Sequence, residues 1–250
     1  MSDKDKERRR PRNAGRRGKP DNSRKAFLGI LGAIVVIGAL SLVYMMNRKS
    51  EPTSVTQIAP PPPGGAKAEG YVLGNPAAPV QILEFADFEC PSCARFSILS
   101  EADVRKQIVD AGLASFTFYD YPLPQHKNTL AAHNAAACAG EQGKFWEMHD
   151  RIFNEQDRWN TEATDNPADL MRDYAQAVGV SMSQWEQCFA SRKYQYKIDA
   201  NQAEGARRKV NSTPTFIIGD KMFAGAISYD EFKKYVDEAV AAQGKVSPGK

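Results

Sequence analysis

The chain has 250 residues, of which 42% are hydrophobic and 25% are charged, proportions typical of a protein with one or two folded domains. Its basic excess lies at the N-terminus, where residues 1–25 carry eleven Lys or Arg against four acids, whereas the rest of the chain is slightly acidic. Arg-rich arms of this kind can bind nucleic acid, but the uncharged segment that follows favours a membrane, so we predict no nucleic-acid partner.

The N-terminal part of the sequence indicates a membrane anchor. Residues 1–25 contain almost no apolar side chains and predict a disordered cytoplasmic tail. Residues 26–46 carry no charge and, at ~1.5 Å per helical residue, would span a bilayer core of ~30 Å. A buried core helix would show a polar face, and a cleaved signal peptide would have a shorter apolar region and a small-residue cleavage site, so an uncleaved single-pass anchor is favoured. The positive-inside rule then places everything after Met46 outside the cytoplasm, in an oxidising compartment.

A linker is predicted between this anchor and the folded part of the chain. It covers residues 47–70, in which Pro60–Pro63 favour a stiff extended segment and the two following glycines a flexible joint. The folded domain is therefore expected to occupy residues 71–245.

Within the folded domain, the sequence alternates between strand and helix patterns. Val80–Phe85 is a short apolar run of strand length, residues 90–112 have helical spacing, and residues 113–119 alternate apolar and polar side chains as a strand does. Helical patterns alone follow over residues of about 126–208, and the chain then returns to a strand hairpin and an amphipathic helix in residues 213–242. This order predicts an α/β domain that carries a helical insert.

Two cysteines three positions apart, Cys90 and Cys93, open the first predicted helix of this domain. A zinc site needs about four ligands, which one such pair and three scattered histidines do not supply, so we predict no metal site. Inert buried thiols are another alternative, but Pro91 and Ser92 suit the exposed first turn of a helix. There, unpaired backbone N–H groups and the helix dipole favour the thiolate of Cys90, while Cys93 points inward as a resolving thiol. The pair is therefore predicted to be redox-active.

The cysteine motif belongs to a longer pattern with a known counterpart. The segment LGNPAAPVQILEFADFECPSCARF, residues 73–96, together with VNSTPTFIIG, residues 210–219, resembles the DsbA-like branch of the thioredoxin superfamily. The resemblance covers roughly residues 70–245. It implies a thioredoxin fold with an inserted all-helical domain, which the predicted single transmembrane helix would precede. It also implies an enzyme, a protein thiol:disulfide oxidoreductase that needs no bound cofactor.

The resemblance assigns roles to three further residues. In this family a cis proline loop lies against the active-site cysteines and holds extended substrate backbone, which maps onto Thr213 and Pro214; an ordinary turn proline is the alternative. Members also carry a buried carboxylate six residues before the first cysteine, which matches Glu84 and implies a proton relay for Cys93. A Glu that faces the edge of the sheet is the alternative.

The chain departs from the commonest pattern of this family at Ser92. That position usually holds a histidine that helps to stabilise the thiolate, and a serine offers a weaker, uncharged hydrogen bond. The departure predicts a less powerful oxidant. Thr213 occurs before the proline in both oxidase-like and isomerase-like relatives, so the direction of net electron flow stays open.

The other two cysteines, Cys138 and Cys188, both fall in the helical insert. Because Cys90 and Cys93 are paired by proximity, the remaining two are predicted to form a structural disulfide in an oxidising compartment; two separate buried thiols are the alternative. Among the histidines, His126 follows a strand end and is the candidate for the active-site groove, whereas the others suit helix surface or core.

Together these features predict an extracytoplasmic thiol:disulfide oxidoreductase that acts as an oxidase on secreted or membrane proteins. Its partners would be reduced or misoxidised extracytoplasmic proteins and a membrane protein resembling DsbB or a vitamin K epoxide reductase homologue, which would remove the electrons. Two alternatives remain: a reductase or isomerase of the same fold, and a membrane-tethered binding or holdase module whose thiols are incidental.

Overall fold

The structure, a computed structural model, describes residues 22–47, 54–57 and 67–244. These residues form two compact units, the first containing α1 and the second all other described elements. The strands are β1 (Ser54–Gln57), β2 (Tyr71–Leu73), β3 (Val80–Ala86), β4 (Ala114–Asp120), β5 (Thr215–Ile218) and β6 (Lys221–Ala224). The helices are α1 (Asn22–Asn47), α2 (Pro91–Phe96), α3 (Ala102–Val104), α4 (Thr129–Gly140), α5 (Phe145–Asn154), α6 (Gln156–Trp159), α7 (Ala168–Ala177), α8 (Met182–Ala190), α9 (Gln195–Arg207) and α10 (Tyr229–Gly244).

The first unit contains α1, a helix of 26 residues that begins before and ends just after the predicted apolar segment. Its large apolar side chains from Phe27 to Val43 are exposed. Among the helices of the described residues, none is both long enough and apolar enough to cross a membrane. The transmembrane helix predicted over residues 26–46 is therefore not confirmed.

The second unit is built on a six-stranded sheet with the order β1-β6-β5-β3-β4-β2. Strands β3 and β4 run parallel, as two strands joined by a helical crossover do, and the remaining neighbours are antiparallel. The strands expected before and after the cysteine helix are β3 and β4, and the expected hairpin is β5 with β6. This is the α/β arrangement that the sequence predicted.

Two edge strands differ from the prediction. Residues 54–57, which the sequence placed in the linker, form β1 beside β6, and Tyr71–Leu73 form β2 beside β4. Strands of four and three residues are too short to show an alternating pattern, and their partners lie more than 40 residues away in sequence. Such strands are defined by pairing with an existing edge, which the local sequence does not reveal.

Helices cover the sheet and place the cysteine motif. Residues 91–109 are helical throughout. Helix α2 continues into a π-helical turn at Ser97–Glu101, and α3 continues into a second π-helical turn at Arg105–Val109. This helical stretch and α10 bury Phe96 and Phe232 against Ile82, Phe116 and Phe216 of the sheet. The insert, α4 to α9, has its own core, which joins the sheet beside the CxxC motif.

Candidate active site

The predicted redox pair lies at the start of the helix that follows β3. Cys90 occupies the N-cap of α2 with extended backbone angles (φ −74°, ψ 120°), and Pro91 takes the first turn, where its missing N–H costs nothing. The carbonyl of Cys90 accepts the N–H of Ala94 at 3.1 Å, and the N–H of Cys90 donates to the Asp87 carbonyl at 3.0 Å. Both thiols are free; Cys90 is 7% exposed and Cys93 is fully buried. Both cysteines are therefore buried, but only Cys90 keeps an exposed fraction.

The surroundings of Cys90 stabilise its thiolate. The Cys93 thiol donates a hydrogen bond to the Cys90 sulfur, and this bond is the main reason that the pKa of Cys90 falls to about 6. Burial opposes the shift, while Thr213 and the backbone N–H groups of Cys93 and Ser92 add to it. Backbone N–H groups at a helix start have no partner within the helix, so they are available to an anion there. The sequence-based expectation of an ionised Cys90 thus has a structural cause.

Burial favours the uncharged forms of Cys93 and Glu84. Burial raises the pKa of Cys93 well above its usual value, and the hydrogen bond to Cys90 and the charges of Cys90 and Glu84 act in the same direction. Burial also raises the pKa of Glu84 well above its usual value; the Glu101 carboxylate adds to this and Arg105 opposes it. The Glu84 side chain is 1% exposed, so it does not face the edge of the sheet. A neutral carboxyl beside a buried thiol can donate or accept a proton without creating two buried charges.

The Thr213–Pro214 loop lies against Cys90. The Thr213–Pro214 peptide bond is cis, and the Cys90 thiol donates to the Thr213 carbonyl at 3.4 Å across 123 residues of sequence. The N–H of Gly225 donates to the Pro214 carbonyl at 2.8 Å, which ties this loop to the end of β6. The structure thus brings together the two segments that carried the family resemblance.

Asp87, which the sequence analysis did not single out, anchors the loop before Cys90. Its buried carboxylate accepts the backbone N–H groups of Glu89 and Leu123, both at 2.7 Å, and the Thr129 hydroxyl at 2.5 Å. His126 Nδ1 lies 2.8 Å from the second carboxylate oxygen. Four partners from three parts of the chain therefore fix Asp87, and the backbone carbonyl of Asp87 accepts the N–H of Cys90.

Asp87 and His126 form a hydrogen-bonded pair beside the active site. The hydrogen bond to Asp87 raises the pKa of His126, although partial burial opposes the shift. Burial raises the pKa of Asp87, but the hydrogen bonds from His126, Thr129 and Leu123 outweigh burial and bring it below its usual value. The charge of Cys90 also favours the protonated His126 ring, which places this histidine within electrostatic reach of the thiolate.

Two further side chains, one on each side of the contact, link the motif to the helical insert. Glu89, 5% exposed, accepts the backbone N–H of Asn128 at 2.9 Å. The side-chain amide of Gln156 in α6 donates to the carbonyls of Phe88 and Cys90, at 2.7 and 3.1 Å. The acidic character of Asp87 and Glu89 is visible in the sequence, but their partners in the rest of the fold lie 36 to 72 residues away.

The two cysteines of the insert lie close together in space. Cys138 in α4 and Cys188 in α8 form a disulfide with their Cα atoms 5.8 Å apart. Both residues are buried. This is the pairing that the sequence predicted, and the alternative of two separate thiols does not apply. Within the part of the chain that the structure describes, no three His, Cys, Asp or Glu residues are grouped to hold a metal ion.

Comparison with known families identifies this architecture. A family model described as thioredoxin matches residues 66–238. The chain belongs to the thioredoxin family. Among solved structures, this thioredoxin-family protein is similar to alpha-DsbA1 of Wolbachia pipientis, with a TM-score of 0.64 and 21% identity, over 73% of this chain and 97% of that one. The predicted DsbA-like thioredoxin fold with a helical insertion is thereby confirmed.

Curated relatives of this thioredoxin-family protein carry two kinds of name. Disulfide bond formation protein D of Bacillus subtilis is 25% identical over 169 residues, which cover 67% of this chain and 75% of that protein. The protein named Na(+)/H(+) antiporter NhaA 3 of Salinispora tropica is 32% identical over 173 residues, which cover 69% of this chain but 25% of that protein. The chain thus spans about a quarter of the antiporter-named relative. The predicted enzyme class, protein thiol:disulfide oxidoreductase, agrees with the names of alpha-DsbA1 and the Bacillus protein.

Proposed function

We propose that this protein is a thiol:disulfide oxidoreductase that introduces disulfides into extracytoplasmic proteins. The observation that carries the proposal is the pairing of an ionisable sulfur at a helix start with a fully buried thiol: the pKa of Cys90 is lowered to about 6 and that of Cys93 is raised. A thiolate is the nucleophile and the better leaving group in disulfide exchange, so this asymmetry supports Cys90 as the sulfur that exchanges with substrate.

The oxidised protein would act in two exchange steps. A substrate thiolate attacks the sulfur of Cys90, the bond to Cys93 breaks, and its electron pair goes to Cys93, which takes the proton of Glu84. A second substrate thiolate then attacks the substrate sulfur of this mixed disulfide and releases Cys90 as a thiolate. Two electrons pass from the substrate dithiol to the protein. The Thr213–Pro214 loop, beside Cys90, supports a role in holding extended substrate backbone.

The electrostatics of Cys90 favour the oxidase direction. Every interaction that stabilises the Cys90 thiolate stabilises the reduced protein relative to its disulfide, and this makes the disulfide more oxidising. The uncharged side chain of Ser92 supplies no cation of its own, so we expect an oxidant weaker than relatives with histidine at that position. A reduction potential near that of cytosolic thioredoxins would instead favour the reductase alternative.

Alkylation across pH tests the state of Cys90. For the native reduced protein, we expect the rate of iodoacetamide modification of Cys90 to rise with a midpoint near pH 6, because that is where its thiolate forms. The Cys93→Ser variant, which keeps a hydrogen-bond donor at that position, controls for modification at the second thiol. A midpoint near 8.5, the value of a free cysteine, would remove the basis of the proposal. Equilibration with glutathione then gives the reduction potential.

We further propose that the enzyme domain works outside the cytoplasm and is attached to the membrane by residues 26–46. The disulfide of the insert supports an oxidising compartment, and the uncharged run in the sequence supports attachment. Reduced or misoxidised extracytoplasmic proteins would be its substrates. A membrane protein resembling DsbB or a vitamin K epoxide reductase homologue would reoxidise it. Alkaline phosphatase fused after residue 250 should be active and sediment with membranes; activity of a cytosolic reporter there would contradict this topology.

A further inference from the structure

The turn that leads into Cys90 is formed by the backbone of Asp87. The Asp87 carbonyl accepts the N–H of Cys90, three residues further on, at 3.0 Å, which is the hydrogen bond of a β-turn. The first and fourth Cα atoms of a β-turn lie within about 7 Å of each other. Burial raises the pKa of Cys93, and a backbone hydrogen bond from Asp87 to its sulfur opposes this effect. Asp87 therefore contacts both members of the redox pair through its backbone.

The side chain of Asp87 fixes this turn to the chain segment that follows β4. Its carboxylate is fully buried. Oδ1 accepts the N–H of Glu89 at 2.7 Å and the hydroxyl of Thr129 at 2.5 Å. Oδ2 accepts the N–H of Leu123 at 2.7 Å and lies 2.8 Å from Nδ1 of His126. Of these four partners, only the His126 ring can carry a positive charge.

The His126 ring can exchange protons with solvent, whereas the Asp87 carboxylate is enclosed. The side chain of His126 is 17% exposed and that of Asp87 is 0% exposed. The hydrogen bond to Asp87 raises the pKa of His126, partial burial opposes this, and the charges of Asp87, Glu89 and Cys90 raise it further. A buried carboxylate without a counter-charge is costly, so this contact favours the protonated ring.

A second histidine near Asp87 has its own partner. His133 of α4 is fully buried, and its Nδ1 lies 2.6 Å from Asp120. Burial raises the pKa of Asp87, and the hydrogen bond from His126 lowers it by more than the charge of His133 does. Lys127, the cation beside His126 in sequence, has an exposed side chain. His126 is therefore the group in direct contact with the Asp87 carboxylate that can balance its charge.

We propose that His126 is the counter-ion of Asp87 and that the two act together as positioning residues for Cys90. The inference rests on the proposed function, because it concerns the sulfur that exchanges with substrate. Both residues act through another group: His126 acts through the Asp87 carboxylate, and Asp87 acts through the backbone of the turn. The pair holds the turn in place without adding a net charge beside the thiolate.

The charge balance at this turn has a measurable consequence. When the His126 ring loses its proton, the Asp87 carboxylate remains as an anion one β-turn away from the Cys90 thiolate, and the repulsion raises the pKa of Cys90. A less stable thiolate makes the disulfide less oxidising. Linkage requires the reverse effect as well, so the thiolate should raise the pKa of His126 in the reduced protein relative to the disulfide form.

An NMR titration of the native protein measures this linkage directly. We expect the pKa of His126 to be higher in the reduced protein than in the oxidised protein by roughly half a pH unit or more. The spectrum of a His126→Gln variant assigns the imidazole signals, because those that it lacks belong to His126. Equal pKa values of His126 in the two redox states would overturn the inference.

The same variant tests the effect on Cys90. His126→Gln removes the charge, while the three other hydrogen bonds to the Asp87 carboxylate keep the turn. We expect the midpoint of Cys90 alkylation to rise by roughly half a pH unit or more, so that alkylation below the midpoint is about threefold slower. Lys127→Gln, which removes an exposed cation at the next position, is the matched control and should keep the native midpoint. A native midpoint in folded His126→Gln would contradict the pairing.

A double variant separates charge from position. Asp87→Asn combined with His126→Gln removes both charges, so the alkylation midpoint of Cys90 should return towards the native value. Its exchange rate with a reduced dithiol peptide should still fall about tenfold, because an amide cannot accept all the hydrogen bonds that hold the turn. A midpoint that stays raised would refute the charge balance, and a native exchange rate would refute the positioning role. Where the double variant does not fold, the NMR comparison and His126→Gln decide.

Failure of this inference can be told apart from failure of the proposed function. The proposed function depends on the alkylation midpoint and the exchange rate of the native protein, which the same assays measure. A low native midpoint that is insensitive to His126 would leave the oxidoreductase in place and remove only the role of the pair.

Discussion

Replacing Cys90 by serine is expected to abolish disulfide exchange, lowering the rate of oxidation of a reduced substrate protein by about a thousandfold or more. The serine hydroxyl does not ionise at neutral pH, so the interactions that lower the pKa of the Cys90 thiol have no anion to stabilise. It also cannot form the disulfide that accepts the two electrons. The measurement is the rate of disulfide formation in a reduced, unfolded protein mixed with stoichiometric oxidised enzyme.

The fold should survive this replacement. The Cys90 sulfur makes weak hydrogen bonds with the Thr213 carbonyl and the Cys93 thiol, and the loop around it is held by other residues: Asp87, Glu89 and Gln156. Thermal unfolding of Cys90→Ser should therefore stay close to that of the reduced native protein. Unchanged binding and an unchanged cellular phenotype in this variant would support the binding-module alternative.

A variant of Cys93 can trap the proteins that exchange disulfides with Cys90. Cys93→Ala leaves Cys90 free to attack a substrate disulfide but removes the thiol that resolves the mixed disulfide, so covalent complexes should accumulate in cells. Mass spectrometry of the proteins attached to Cys90 would identify the substrate class and the reoxidising partner. If Cys93→Ala traps no more protein than Cys90→Ser, disulfide exchange with proteins is not the activity.

Much of this site is predictable from sequence because it is built from local features. Cys90, Pro91 and Cys93 occupy one helical turn, and that turn supplies both the Cys93 thiol, which contributes most to stabilising the thiolate, and the backbone N–H groups of Ser92 and Cys93. A strand before the motif and a helix after it are therefore enough to predict the asymmetry between the two sulfurs. Placing Thr213 beside them required the family pattern, since 123 residues separate it from Cys90.

The rest of the site depends on tertiary contacts that no local pattern encodes. An acidic residue before a CxxC motif reads as a solvated side chain, whereas Asp87 is fully buried and accepts hydrogen bonds from segments that the fold brings to it. Glu101 has a Glu–Arg spacing that suits an exposed i, i+4 pair, yet the structure buries its carboxylate. In both cases the polar side chain is inside because its partners are there, and only the folded chain supplies them.

The second large effect is expected on stability, from the disulfide of the insert. Replacing Cys138 and Cys188 together by serine should lower the free energy of unfolding by about 4 kcal/mol, since the crosslink closes a loop with a sequence separation of 50 residues and its loss restores entropy to the unfolded chain. For a domain of this size, that corresponds to a fall in melting temperature of roughly 8 to 16 °C. Urea denaturation of the two oxidised proteins, without added thiol, measures the difference.

Removal of the disulfide is expected to lower stability without changing the exchange reaction at Cys90. The disulfide joins α4 to α8 inside the insert core, whereas Cys90 is positioned by α2, the Thr213–Pro214 loop and the insert side chains of Thr129 and Gln156, none of which belongs to the crosslink. The double variant should therefore keep its exchange rate at temperatures where it is folded. A single Cys138→Ser variant is a poorer comparison, because it leaves Cys188 as an unpaired thiol that can exchange with Cys90. A change in unfolding free energy below about 1 kcal/mol would mean that residual structure around α4 already restricts the unfolded chain, so that the crosslink adds little.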